Sequence, residues 1–222
     1  MASISTQNSE CPTCRKKQDL CVCKLIKPHA LRLKILVLQH PQEPDKDLGS
    51  AWLAVQCLEG ARLQVGLSWP NLSRAWSKTP VEPLDASKWA VLYLGSGPKP
   101  GAPIPQGARL FWTDKKGIPK PEAENKKLLK TLEGLVVLDG TWSQAKALWW
   151  RNPWLLKLKR LMLAPSTPSL YGKLRKEPRS ECLSTLESIA LALEDLGEDQ
   201  AISSHLRSAF SDLLSRYRAL LR

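Results

Sequence analysis

The stretch VVLDGTWSQAKALWW (residues 136–150) decides how this sequence is read. With Leu135 it opens as a β-branched, apolar run, 135–139, of the kind that forms a buried strand. Asp139 closes that run and Gly140 permits a sharp turn. Thr141 and Gln144 then make a capping-box pattern for a helix that starts at once. A buried strand passing through a tight corner into a helix is a unit of α/β architecture. In parallel α/β folds ligands bind outside the carboxyl ends of strands, where Asp139 lies. Two readings of Asp139 stand side by side here. It caps the helix, as Asp often does, or it is a partly buried carboxylate able to accept a proton. Trp142 is likewise either a wall of a ligand site or core, since Trp142, Ala145 and Trp149 share one helical face.

Working outward, LRLKILVLQ (31–39) alternates and then turns fully apolar, as a buried strand does. LGSAWLAVQCLEG (48–60) has helical spacing with Gly60 just past its end. RLQVGL (62–67), WAVLYLGSG (89–97), RLFW (109–112) and RLMLA (160–164) read as further strands. A polar helix is expected over 122–132. Pro98, Pro100, Pro103 and Pro105 stiffen the loop 97–107. Ser184 and Glu187 repeat the capping-box pattern before a helix lined by Leu186, Ile189, Ala190 and Leu193. A last helix carries Leu206, Phe210, Leu213, Leu214, Tyr217, Leu220 and Leu221 on one face. Strands alternating with helices imply an α/β domain with a largely parallel sheet.

The 222 residues suffice for one domain with an appendage. No apolar run approaches the ~20 residues of a membrane span. The first ten residues are polar, expected to be disordered, and lack a signal-peptide core, so the expectation is a cytoplasmic protein with no membrane association. The net charge of +12 is localised. Segment 11–34 holds seven Lys/Arg against one acid, and 151–179 holds eight against one. Neither cluster forms a basic amphipathic helix of the membrane-surface type. Two such clusters beside a metal module favour a nucleic-acid partner over a merely solvated face.

Four of the six cysteines crowd together as Cys11-Pro-Thr-Cys14 and Cys21-Val-Cys23. Four thiolates at such spacing suit tetrahedral zinc better than they suit four unrelated thiols. A segment this short has no core of its own and would gain its folding free energy from the metal. The domain division expected is therefore a start and zinc module over 1–28 and a main domain over 29–222. His29 reads as a surface residue and not a ligand. A third site is LMLAPSTPSLYGKLRKEPRSECLSTLES (161–188). There a strand leads into Pro165, then a basic loop, then a capped helix start whose free N–H groups at 184–186 favour an anionic or polar ligand. No Gly-rich dinucleotide or Walker pattern is present.

These pieces together resemble the DTW-domain family. The match rests on Asp139-Gly140-Thr141-Trp142, LQHPQE (38–43), LVVLDGTWSQAKAL (135–148), Tyr171 with Leu174-Arg175-Lys176, CLSTLESIALAL (182–193) and the cysteine cluster. It covers most of the chain, departing after HPQE, where PDKDLGSAW follows, and in the proline-rich loop. The resemblance implies a tRNA-uridine aminocarboxypropyltransferase, which moves the 3-amino-3-carboxypropyl group of S-adenosylmethionine to uridine N3. It implies a SPOUT-like sheet with a C-terminal knot, and no obligate protein partner is evident. It makes Asp139 the candidate base, and Trp142 an apolar wall or a cation–π face. It places the cofactor against Leu94, Gly95, Leu138, Gly140, Thr141, Leu163, Pro165, Ser166, Leu183, Ser184 and Thr185. Arg151, Lys173, Arg175, Lys176 and Arg179 then face tRNA. A SPOUT-like methyltransferase and a non-catalytic, zinc-containing RNA-binding protein are the alternatives.

Overall fold

A computed structural model of the chain describes residues 10–14, 16–43, 47–79, 82–92, 109–174 and 183–221. Its strands are β1 (Lys34–Gln39), β2 (Ala61–Val65), β3 (Trp89–Leu92), β4 (Leu110–Thr113), β5 (Gly134–Asp139) and β6 (Lys159–Leu163). They form one sheet in the order β2-β1-β5-β3-β6-β4. All pairings are parallel except that of the edge strand β4, which runs antiparallel to β6. The α/β class and the largely parallel sheet expected from the sequence are present. The helices are α1 (Ala51–Gln56), α2 (Leu72–Trp76), α3 (Glu122–Thr131), α4 (Trp142–Arg151), α5 (Thr185–Asp195) and α6 (Gln200–Leu220).

β5 lies inside the sheet and is buried along its whole length. Its alternation sorts side chains to two cores. Leu135 and Val137 join Ile35, Val37 and the apolar faces of α1, α5 and α6. Val136 and Leu138 join Leu36, Leu38, Trp76, Ala145 and Leu148 beneath α2 and α4. Each such fully buried aliphatic chain contributes about 1.5–3 kcal/mol. Close packing also dictates a glycine at the start of β5. A Cβ on Gly134 would stand 2.5 Å from the buried Trp89 ring of the neighbouring strand.

Two elements differ from expectation. The helix read over 48–60 is confined to Ala51–Gln56, because Cys57–Glu59 turns to bridge with His29. Cys57 O accepts from His29 N–H at 3.0 Å, and Glu59 N–H donates to His29 O at 2.8 Å. α2 was not anticipated, although Asn71 caps it by accepting from Arg74 N–H. Strand β3 extends to Leu92, and the remainder of the expected strand and the proline loop 97–107 lie outside the described residues. So does the start expected to be disordered, apart from Glu10.

The cysteine segment docks on this domain. Glu10 and Lys17 form an antiparallel bridge, and Leu20 and Val22 are buried in the core that holds α5 and α6. Lys16 Nζ donates to Asp47 O at 2.7 Å. Among the described residues no helix is long and apolar enough to cross a membrane.

Candidate functional site

Parallel pairing brings the carboxyl ends of β1 and β5 together, with Gln39 opposite Asp139. Both are odd-numbered residues on the α5 face, at its last position before the sheet ends. Gln39 is 4% exposed and Asp139 9%. Gln39 Nε2 donates to Asp139 Oδ2 at 2.7 Å. Thr185 Oγ1, in the first turn of α5, donates to Asp139 Oδ1 in a short hydrogen bond. A neutral donor therefore grips each carboxylate oxygen, which orients the group.

The same geometry removes Asp139 from the cap of α4. The N-cap of α4 is Thr141, whose Oγ1 accepts from Gln144 N–H while Gln144 Oε1 accepts from Thr141 N–H at 2.7 Å. Asp139 lies on the opposite face of the sheet from α4 and reaches α5. The corner demands Gly140. Its φ of +147° is disfavoured for other residues, and a Cβ there would stand 2.9 Å from Gln144 Cβ. Trp142 is half-buried.

The start of α5 is built around a second buried carboxylate. Glu187, 5% exposed, accepts from Ser184 N–H at 3.0 Å and completes the capping box. It also accepts from Leu170 N–H and from Ser169 Oγ, both at 2.7 Å. Tyr171, two residues on, is buried and its hydroxyl donates to Leu48 O at 2.9 Å. Ser50 Oγ accepts from Leu186 N–H at 3.3 Å. Segments 47–50, 169–171 and 184–187 are thus tied together beside Asp139. The helix start expected to offer free N–H groups gives that of Leu186 to Ser50 and that of Glu187 to Ser184.

The structure brings Leu138, Asp139, Gly140 and Thr141 to one corner, with Thr185 and Ser184 directly against it. Leu183 directly precedes the Ser184 cap. Leu163, Pro165 and Ser166 lie at the carboxyl end of β6, two strands away on the same edge. Arg151 and Lys173 are exposed. Leu94, Gly95, Arg175, Lys176 and Arg179 lie outside the described residues. Gln39, Ser50 and Glu187 were missed as site residues. Gln39 ends the apolar strand with a polar side chain, and Glu187 closes the capping box, so each carried a signal.

The Sγ atoms of Cys11, Cys14, Cys21 and Cys23 all lie within 4.8 Å of one another, and Cys11 and Cys23 are 3.7 Å apart. Zinc–sulfur bonds of ~2.3 Å in a tetrahedron set sulfurs about 3.8 Å apart, so the set fits such an ion. Backbone groups of Cys14 and Thr13 hold the Cys11 thiol at about 6, whereas burial raises Cys14 and Cys23. A divalent cation would supply the counter-charge that four thiolates need. His29 stands apart from this set. It is half-buried, not a surface residue, and its Nε2 pairs with His205 Nδ1 at 2.9 Å.

A family model described as the DTW domain matches residues 8–218. The chain belongs to the DTW-domain family. Within the family signature as it stands here, Asp139 is the buried carboxylate and Thr141 the cap. Similar curated proteins are tRNA-uridine aminocarboxypropyltransferase 2 of Macaca fascicularis, 29% identical over 93% of this chain and 62% of the relative, and that of Mus musculus, 28% identical over the same shares. The protein of that name from Drosophila melanogaster is 28% identical over 86% of this chain and 68% of its own length. This DTW-domain chain spans about three fifths of the length of the first two. No solved structure matches it.

Proposed function

We propose that this protein transfers the 3-amino-3-carboxypropyl group of S-adenosylmethionine to N3 of a uridine in tRNA. The observation that carries the reading is the Asp139 carboxylate, buried at the carboxyl end of β5 and gripped by Gln39 and Thr185. It sits in the signature of a family whose curated relatives bear that activity in their names.

S-adenosylmethionine supplies a sulfonium-activated carbon. In the transfer the uridine N3–carbon bond forms, the sulfur–carbon bond breaks, methylthioadenosine leaves, and the N3 proton must go to a base. Asp139 is that base. Its fixed orientation aims one group at the imide while the corner aligns the reacting carbon. Backbone groups at 138–141, 163–166 and 183–185, with Leu94 and Gly95, hold the donor, and the Trp142 indole walls it. The SPOUT-like, knotted threading of the C-terminal part belongs to the same proposal. Its support is the resemblance and the hydrogen bond that sets Thr185, at the start of α5, against Asp139. Cys11, Cys14, Cys21 and Cys23 hold a zinc ion whose role is structural, fixing the basic segment 11–34 to the domain. Arg151, Lys173, Arg175, Lys176 and Arg179 face tRNA phosphates. The enzyme works in the cytoplasm without an obligate protein partner.

The test is incubation with tRNA and S-adenosylmethionine, with both products weighed by mass spectrometry. Methylthioadenosine and a tRNA heavier by one aminocarboxypropyl group are expected, and Asp139→Ala abolishes both while the protein stays folded. S-adenosylhomocysteine in place of methylthioadenosine would make the protein a methyltransferase, and wild-type rates from Asp139→Ala would remove the base.

A further inference from the structure

Two segments that cover one face of the sheet are strongly basic. Residues 61–79 and 140–174 supply α2, α4 and the single-turn helix Pro153–Lys157, which together cover one face. These two segments contain nine Lys/Arg and no Asp or Glu. They are joined to each other. Asn152 Oδ1 accepts from Trp69 N–H at 2.8 Å, Ser68 Oγ donates to Arg151 O at 3.0 Å, and Trp154 Nε1 donates to Trp69 O at 3.0 Å. Residues 183–221, which form α5 and α6 on the other face, hold six acids against three basic residues.

On this face one large side chain is out of place. Trp150 is 76% exposed, whereas the neighbouring Trp154 is buried and Trp149 is half-buried with Arg160 over its ring at 5.3 Å. The helical period puts Lys146 one turn before Trp150 on the same exposed side, and Arg151 follows it directly. A flat indole standing among cations that no acid offsets along these segments is the arrangement that grips single-stranded nucleic acid. The cations track phosphates, and the indole stacks a base.

We infer that the α2–α4 face is a tRNA-docking surface on which Trp150 stacks an unpaired base. The inference rests on the tRNA reading above and extends it to a face and a residue outside the Asp139 site. Stacking and charge are separable, because a stacked base adds affinity that does not depend on salt, whereas each neutralised phosphate of a single strand steepens the salt dependence by about 0.7 in log–log slope.

The full chain is titrated with bulk tRNA by fluorescence anisotropy at several salt concentrations, with circular dichroism, sedimentation and S-adenosylmethionine binding as controls. Trp150→Ala is expected to weaken tRNA binding by about 5- to 150-fold, the measured range for one stacked base, with an unchanged slope, while Trp150→Phe keeps most of the affinity. Lys146→Gln with Arg151→Gln is expected to lower the slope by about 1.4. Wild-type affinity from Trp150→Ala, or an unchanged slope from the charge pair, overturns the inference. So does a change in sedimentation with Trp150→Ala, which would make the face a protein interface. A wild-type protein that binds no tRNA sinks this inference together with the proposed function. Trp150-dependent binding without transfer leaves the surface standing and removes the enzyme.

Discussion

Replacing Glu187 with alanine should destabilise the whole domain, by an amount that its hydrogen bonds allow one to work out. The carboxylate is buried and accepts from Leu170 N–H, Ser169 Oγ and Ser184 N–H. Two of these donors are backbone amides, fixed in place by the chain, so truncation leaves them facing a hole. An orphaned buried donor costs about 1–3 kcal/mol, and bonds to a charged acceptor lie at the upper end. The three are not additive, since Ser169 can rotate and water can enter, so about 3–5 kcal/mol is expected for Glu187→Ala. For a chain of this size that is a drop in Tm of roughly 6–20 °C. Glu187→Gln should fall between. One oxygen still serves Leu170, Ser169 can turn to accept from the new amide, and only Ser184 N–H meets a donor instead of an acceptor. Calorimetric melting checks both variants, and amide exchange at Leu170 should quicken in step. The half-exposed Glu124, 3.9 Å from Lys120, is the control and should change stability by no more than about 0.5 kcal/mol on truncation. If Glu187→Ala melts within about 2 °C of the wild type, the buried carboxylate does not hold segment 169–171 to α5.

Three further outcomes are expected. Gln39→Leu keeps the volume but removes the donor at 2.7 Å from Asp139. With a bond to a charged group worth about 1.5–3 kcal/mol, transfer should slow about 10- to 100-fold with the fold intact, and an unchanged kcat would show that Gln39 does not position the base. A chelator should remove one metal ion per chain and speed amide exchange in residues 20–29, which pack into the core through Leu20 and Val22; elemental analysis that finds no metal in wild-type protein, or finds it retained by Cys14→Ser, would contradict the four-thiolate site. Burial raises the Glu194 carboxyl, but hydrogen bonds from Arg207, Ser203 and Arg109 outweigh it and leave the group below its usual range. A depressed folded-state value means stability present above the unfolded value of about 4.3 and lost as pH falls through the lower folded value, so Glu194→Gln should flatten the acid limb of a Tm-against-pH curve, and an unaltered limb would place the acid sensitivity elsewhere.

The elements that local chemistry marks were legible in the sequence. Thr141 with Gln144 and Ser184 with Glu187 announce two helix starts by side chains that meet their own backbone, and both capping boxes form. β5 declares itself by an unbroken apolar run because a central parallel strand is covered on both faces. What depends on partners far along the chain was hidden. The helix expected to reach residue 60 stops at Gln56 because the backbone of Cys57 and Glu59 is taken by His29, some thirty residues earlier. The sense of β4 was hidden too, since a short strand reads the same in either direction.

The limit is sharpest at Asp139. Its neighbours in sequence, Gly140 and Thr141, belong to the corner and the cap of α4, and on their evidence Asp139 serves the same helix. Alternation along β5 says otherwise, because residues 135, 137 and 139 share one face and α4 covers the other. Parity alone thus removes Asp139 from α4. What parity cannot supply is the pair of groups that meet it, Gln39 a hundred residues before and Thr185 forty-six residues after. Gln39 arrives by sheet register and Thr185 by a contact far along the chain, which local pattern does not encode. Those two donors also set Asp139 apart from a helix cap. A capping carboxylate spends its acceptors on the N–H groups of the helix it starts, whereas this one is held by side chains from two other elements, at the edge of the sheet where ligands of parallel α/β folds bind.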